Sequence, residues 1–397
     1  MKRFALTSLS LALLGTAGAA HAQNSVTLYG VIDAGIGYVH NTSGNQNLVG
    51  MINGNLSGDR WGLKGQEDLG GGLKAIFQLE NGFDIGTGKL GQGGKEFGRQ
   101  AFVGLTHDAY GTVTLGRQYD PLVDMVQGIT ADNYWGSAFA TPGDVDNYDN
   151  SLRVSNAVKY VSPNFSGLQF EGLYGFSNVA GTTGQGQTYS GAVAYNNGPL
   201  ALAAGYFFAT NPSAGRTVVT NGSPSWNAGS SDSIFDGAIN SGYITAHSLQ
   251  IARVAGQYAI GPFTVGASYS NAQYKNDGFS TFTSTEKYNI GNVFLNYQAS
   301  PAILLGAGYS YERATGDTSA TYHQASLGAD YSLSKRTDLY AVAAYQHASG
   351  TQATNETDPV TGRAVRGTQT AQASIGSYGF NGTNTQELVI IGIRHKF

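Results

Sequence analysis

Asn384-Thr-Gln-Glu-Leu-Val-Ile-Ile-Gly-Ile-Arg-His-Lys-Phe397 closes the chain, and its reading decides the rest. With period two, Val389, Ile391, Ile393, His395 and Phe397 share one face, while Ile390, Gly392, Arg394 and Lys396 share the other. Successive side chains of a strand point to opposite faces. A strand with lipid on one side and water on the other carries such a pattern. An ordinary amphipathic terminal strand alternates too, so the remaining sequence has to choose between them.

The opposite end points to export. Lys2 and Arg3 precede an apolar, small-residue stretch from Phe4 to Ala20, and Ala20-His21-Ala22 is an A-x-A cleavage signal before Gln23. Residues 1–22 therefore read as a cleaved secretory signal peptide and 23–397 as the mature domain. Loss of Lys2 and Arg3 takes the formal charge from −4 to about −6. A weakly acidic chain argues against a nucleic-acid partner, which needs concentrated Lys and Arg. With no cysteine, neither disulfides nor thiolate chemistry is available. After the signal there is no run of about 18 apolar residues, so no transmembrane helix is expected. Glycine is abundant at 57 residues and tyrosine high at 24 against only 9 prolines. That balance fits curved strands with interfacial aromatics better than collagen or a disordered linker.

Two kinds of connection alternate along the chain. Short ones lie at 68–73, 107–111, 162–167, 196–199, 260–262, 300–301 and 334–338, each built from Gly, Pro, Asn, Asp or Ser suited to a tight turn. Longer polar stretches lie near 40–56, 81–98, 120–152, 177–187, 210–247, 276–286, 315–321 and 348–383. Seven short and eight long connections join sixteen strands with both termini on the short-turn side. Roughly 23 residues per strand and connection suffice for a crossing strand of about 9–11 residues. Between the turns, Phe263, Val265, Ala267 and Tyr269 alternate cleanly with Thr264, Gly266, Ser268 and Ser270. Leu200–Phe208 is apolar on both faces and says nothing about orientation. The reading is an all-β, 16-stranded antiparallel up-and-down transmembrane barrel, closed so that no backbone group is left unpaired in lipid. A soluble β-sandwich would not combine the terminal Phe with this loop asymmetry.

Several segments resemble the general trimeric porins of Gram-negative outer membranes, especially their beta-proteobacterial branch. They are Ser25-Val-Thr-Leu-Tyr-Gly-Val-Ile-Asp-Ala-Gly-Ile-Gly-Tyr38, Arg60-Trp-Gly-Leu-Lys-Gly65 with Glu67-Asp-Leu-Gly70, and Gly98-Arg-Gln-Ala-Phe-Val-Gly-Leu105. Gly116-Arg-Gln-Tyr119, Asn156-Ala-Val-Lys-Tyr160 and the terminal strand match as well. The resemblance is specific in the first half and rests mainly on strand rhythm from 170 to 380. It implies a homotrimer of water-filled barrels for passive diffusion of small hydrophilic solutes and ions. Implied partners are outer-membrane lipids, lipopolysaccharide and the barrel-assembly machinery, which reads a signal including Phe397. The family's third outer loop folds inward and narrows the channel.

Here that loop is Asp120–Leu152, which carries Asp120, Asp124, Asp132, Asp144, Asp146 and Asp149 without one Lys, Arg or His. The first five are the acids expected to line the pore. The family also places arginines on the facing wall, and Arg60, Arg99 and Arg153 carry over by motif. Period two supports this, because Trp61, Leu63, Phe102, Val154 and Val158 occupy the opposite faces. On the lipid face an Arg at mid-membrane costs about 2–4 kcal/mol. Lys64 and Lys159 keep parity with Arg60 and Arg153 and are expected in the pore too. Arg117 shares a face with Val113 and Leu115 and is expected at a subunit interface. Bases on rigid strands against acids on a loop lean the expectation towards anions.

Signals for chemistry are weak. Gly86-Thr-Gly-Lys-Leu-Gly91 matches G-x-G-x-x-G, but no apolar helix follows it. The seven histidines show no metal-ligand spacing and there is no G-x-S-x-G elbow, so no cofactor or metal is expected. An outer-membrane hydrolase would need a nucleophile beside His107, His323 or His347, and none has that context. A substrate-specific channel would use an aromatic track, for which Tyr134, Trp135 and Phe139 are candidates.

Overall fold

The computed structural model describes residues 24–397 except 179, 182–183, 212–225, 227–229, 233, 236 and 361–363. The expected signal peptide, 1–22, lies outside the described residues.

The strands are β1 Ser25–Thr42, β2 Gln46–Asn53, β3 Arg60–Gly70, β4 Leu73–Gly82, β5 Gln100–His107, β6 Gly111–Gln118, β7 Val154–Val161, β8 Leu168–Gly175 and β9 Thr188–Asn197. They continue with β10 Leu200–Thr210, β11 Ser248–Ile260, β12 Phe263–Lys275, β13 Glu286–Ser300, β14 Ile303–Thr315, β15 Ser319–Ser332, β16 Thr337–Thr357, β17 Ala364–Thr370 and β18 Gly382–Lys396. Sixteen of these form a closed antiparallel barrel. β18 pairs with β16 on one side and with β1 on the other, which closes the wall. β2 and β17 are extra strands inside long connections, paired to the far parts of β1 and β16. All seven short connections fall where turn chemistry puts them. The stretch 315–321, expected as a long loop, is a tight link, since Thr315 already pairs with Ser319.

The terminal strand has the two faces its alternation implies. Val389, Ile391 and Ile393 are 45%, 66% and 47% exposed, whereas Ile390 is 0% exposed. Outward apolar side chains recur on every side of the wall, from Val26 and Leu28 to Val293, Leu295 and Leu327. This exterior suits lipid and would aggregate in water.

At the closing seam, Phe397 N donates to Gly30 O (3.0 Å) and Gly30 N to Phe397 O (3.1 Å). A Cβ on Gly30 would lie 2.3 Å from the Phe397 ring and 2.7 Å from Arg60 O, so the seam needs glycine there. Gly30→Val is therefore expected to lower the heat-modifiable folded fraction on a semi-native gel. Wild-type folding of that variant would contradict this account of closure.

The apolar core sits inside the barrel. Leu122, Val145 and Leu152 pack with Phe207, Ile251, Tyr274 and Tyr288, and a second cluster joins Trp135 and Phe139 to Phe294, Tyr340 and Ile390. The expectation of a wet interior thus holds for only part of the wall.

Candidate functional site

The segment 120–152 is a chain of short turns against the inner face of the wall. Asp120 starts it, because its Oδ1 accepts the Leu122 N–H (2.8 Å) and opens the helical turn Leu122–Val126. The short helix Ala131–Trp135 ends at Gly136, whose φ is +60°. A Cβ at Gly136 would lie 1.8 Å from Asn55 O, so only glycine permits this approach to the β2–β3 connection.

Trp135 is the main anchor. Its Nε1 donates to Asn296 Oδ1 (2.8 Å), and its ring covers Gly306 and Gly328, where a Cβ would come within 2.3 Å. Gln324 Nε2 donates to Ala138 O (3.2 Å) and Ala140 O (2.9 Å), and Ser326 Oγ to Ala138 O (2.6 Å). Arg253 Nη2 donates to the Asp146 carbonyl (2.6 Å) and carboxylate (3.0 Å), both side chains being fully buried. Breaking such a buried pair on one side costs about 3–5 kcal/mol. The anchors stand opposite outward-facing Val254, Leu295 and Leu327, so the segment lies on the inside of the wall.

Across from it, Arg60, Arg99 and Arg153 gather around Tyr119. The Tyr119 ring centroid is 5.9 Å from the Arg99 guanidinium and 5.4 Å from that of Arg153. Glu80 accepts from Arg99 Nε (2.9 Å), Tyr119 OH (3.0 Å) and Tyr29 OH (2.8 Å). Arg60 Nη1 donates to Gly58 O (2.9 Å) and Arg153 Nη1 to Ser151 O (3.0 Å). Among the described residues, neither Arg60 nor Arg153 has a carboxylate partner. The three arginines line a cavity of about 1070 Å³ together with Asp124, Asp132, Asp149 and Asp232.

The other expected site residues separate. Lys159 binds the Asp124 carboxylate and lies 3.4 Å from Glu171. Lys64 is not part of the cavity lining, its Nζ standing 5.3 Å from the ring centre of Tyr29, which does line the cavity. Asp120, Asp144 and Asp146 do not face the arginines, which corrects their expected place in the pore. Asp120 caps the loop's own backbone, Asp144 accepts from Ser151 Oγ (2.6 Å) and Asp149 N (2.8 Å), and Asp146 is bound to Arg253.

Gly116 adopts φ +141°, and the facing β7 carries the extra residue of a bulge, since Gly116 pairs with Ala157 and Gln118 with Val154. Arg117, expected at a subunit interface, is buried against its own chain. Its guanidinium meets Ser155 and Asp232 instead. Glu80, Tyr119, Asp232 and Arg253 escaped the sequence reading, since Glu80, Asp232 and Arg253 lie in no matching motif and Tyr119 ends one, Gly116-Arg-Gln-Tyr119, that assigns it no role. Parity alone could have flagged Glu80, which pairs with Gly62 in register and so shares the face of Arg60.

Comparison with known proteins supplies what geometry leaves open. A profile described as Gram-negative porin matches residues 5–351. An outer membrane porin protein of Bordetella pertussis is 34% identical over 85% of this chain and 93% of its own length. Outer membrane porin protein 32 of Delftia acidovorans is 29% identical over 98% of this chain and 99% of its own. Among solved structures, an anion-selective porin from Comamonas acidovorans superposes with a TM-score of 0.67 at 24% identity, covering 94% of this chain and 100% of that one. The trimer form of OmpT from Vibrio cholerae superposes with a TM-score of 0.61 at 17% identity, covering 94% and 99%. At those identities the two structures speak for the fold alone. The closed barrel, its apolar exterior and its charged cavity agree with the sequence relatives, and the chain belongs to the Gram-negative porin family, outer-membrane channels for passive diffusion of small hydrophilic solutes and ions.

Proposed function

We propose that solutes cross this barrel through a constriction between the row Arg60, Arg99 and Arg153 and the segment 120–152, and that the constriction favours anions. The observation that carries the reading is the unequal pairing of charge around one cavity. Arg60 and Arg153 have no carboxylate partner among the described residues, whereas Asp124 is bound by Lys159. Burial and the neighbouring Asp149 carboxylate hold the Asp132 carboxyl well above the usual carboxylate range. Two carboxylates this close favour a neutral form of Asp132, so the loop carries less than its formal negative charge. Facing rows of opposite sign also set up a transverse field that orders water and disfavours apolar solutes.

Reconstituted protein is expected to give ohmic conductance, to pass neutral sugars by size and to show an anion-directed reversal potential in a salt gradient. Saturable uptake of one solute class would favour a substrate-specific channel instead. A pH dependence follows. An acid with a raised pKa is neutral below that pKa and charged above it. Raising pH through the titration of Asp132 therefore adds negative charge to the constriction, and anion preference should fall. An anion preference that rises with pH would contradict this assignment.

Trimeric assembly is supported by the smooth apolar surface of β5 and β6, where Val103, Leu105, Val113 and Leu115 face outward, and by the trimer form of the Vibrio cholerae neighbour. A detergent-solubilised mass of a single barrel would overturn it. Contact with lipopolysaccharide phosphate is supported by Lys275, Lys287 and Arg313 on adjacent strands: Lys287 is the register partner of Gln273 and of Thr315, two positions from Lys275 and from Arg313. Phe397 at the closing seam is assigned to the signal read by the assembly machinery.

A further inference from the structure

Segment 210–247 also reaches the cavity. Ser155 N donates to Ser230 O (2.5 Å) and Asp232 N to Arg153 O (3.0 Å), and Ser231 forms an isolated bridge with Val154. Residues 230–232 thus run as a short added strand beside the start of β7, next to Arg153. This main-chain ladder delivers the Asp232 carboxylate to the cavity wall. There it takes both terminal nitrogens of Arg117, Nη2 at 2.5 Å and Nη1 at 3.1 Å, and stands 4.0 Å from Lys95 Nζ. The Asp232 side chain stays 24% exposed while that of Arg117 is 9% exposed, so the acid, not the base, meets the solution. Among the described residues, it is the one acid that this segment brings to the cavity.

We infer that Asp232 sets the strength of the channel's charge preference by cancelling Arg117, which lies behind it and would otherwise add its charge to that of Arg60, Arg99 and Arg153. The inference rests on the constriction reading above and adds a second loop to it. The bidentate geometry makes Asp232 and Arg117 one neutral unit, and Lys95 adds a weaker contact at the rim. Removing either partner releases the charge of the other into the cavity.

Asp232→Asn is the informative substitution, since the amide still accepts from Arg117 and the Asp232 N to Arg153 O bond is main-chain. It should raise the anion-to-cation permeability ratio by roughly threefold in dilute salt, since one unit charge at about 12 Å in a water-like medium acts about 1.8-fold on anion and cation in opposite directions. The gain should shrink towards 1 M salt as screening shortens its reach. Arg117→Gln should move the ratio the other way, and the double variant should return it close to wild type, all without changing the size limit for neutral sugars.

An unchanged reversal potential in Asp232→Asn would overturn the inference. So would single variants that both enlarge the sugar limit and shift selectivity in one direction, as loss of a mere brace would. Arg99→Ala measured alongside separates the two levels. If it moves the potential and Asp232→Asn does not, the arginine row stands and the role of Asp232 falls. If Arg99→Ala has no effect, the row itself is misassigned.

Discussion

Replacing Arg60, Arg99 and Arg153 together by alanine is expected to lower the anion-to-cation permeability ratio by about an order of magnitude in dilute salt, from roughly threefold per charge reduced by mutual screening. The three guanidiniums line one cavity, and Tyr119 sits between two of them. The single variants should differ. Arg99 is already held by Glu80, so Arg99→Ala strips a partner from a carboxylate and pushes the site towards cations. Arg60→Ala and Arg153→Ala remove charges that make no direct ion pair among the described residues, although Glu80 stands near Arg60 and Asp232 near Arg153. Reversal potentials in a salt gradient measure all four proteins. If the triple variant keeps wild-type selectivity, these arginines do not line the narrowest point and their transfer by motif is wrong.

Trp135→Ala is expected to have the largest effect on pore size. Trp135 is fully buried, and truncating a buried Trp costs about 3–5 kcal/mol. That loss falls on the segment 120–152, since the ladders of the barrel wall do not include it. The barrel should therefore fold while the loop loses its seat over Gly306 and Gly328. Expected results are a higher single-channel conductance, a larger sugar limit and more open-channel noise. Gly328→Leu fills the same seat from the wall side and should reproduce them. Unchanged conductance in both variants would mean that the loop's position does not set the pore.

The parts of this fold legible in the sequence are those where one strand face meets lipid and the other meets water or charge. The strand ending at Phe397 is the clearest, because Arg394 and Lys396 alternate with Ile391 and Ile393. Leu200–Phe208 was unreadable for a physical reason. Its inward Ala203 and Phe207 join the same apolar cluster as Leu122 and Met125, so both faces are dry. β2, β17 and the ends of β14 and β15 project into polar sequence, where hydrogen bonding continues without an apolar signature. In the site, single motifs located the arginines, but the pairing of Asp146 with Arg253 joins residues 107 positions apart and depends on the path of the loop. Arg117 is buried where Val113 and Leu115 are exposed, beside a Gly116 at φ +141° and a bulge in the facing strand, neither of which leaves a signature in the residue pattern.

The absence of cysteine makes the central claim directly testable. Arg60→Cys, recorded in a planar bilayer, can be modified during conduction by a bulky water-soluble thiol reagent. Val293→Cys, on the outward face away from β5 and β6, serves as the control. If solutes cross between the arginine row and the segment 120–152, modification at 60 should cut the current in discrete steps, and the reagent should leave the current of the 293 variant unchanged. A full current through channels whose position 60 is shown by mass spectrometry to be modified would contradict the account.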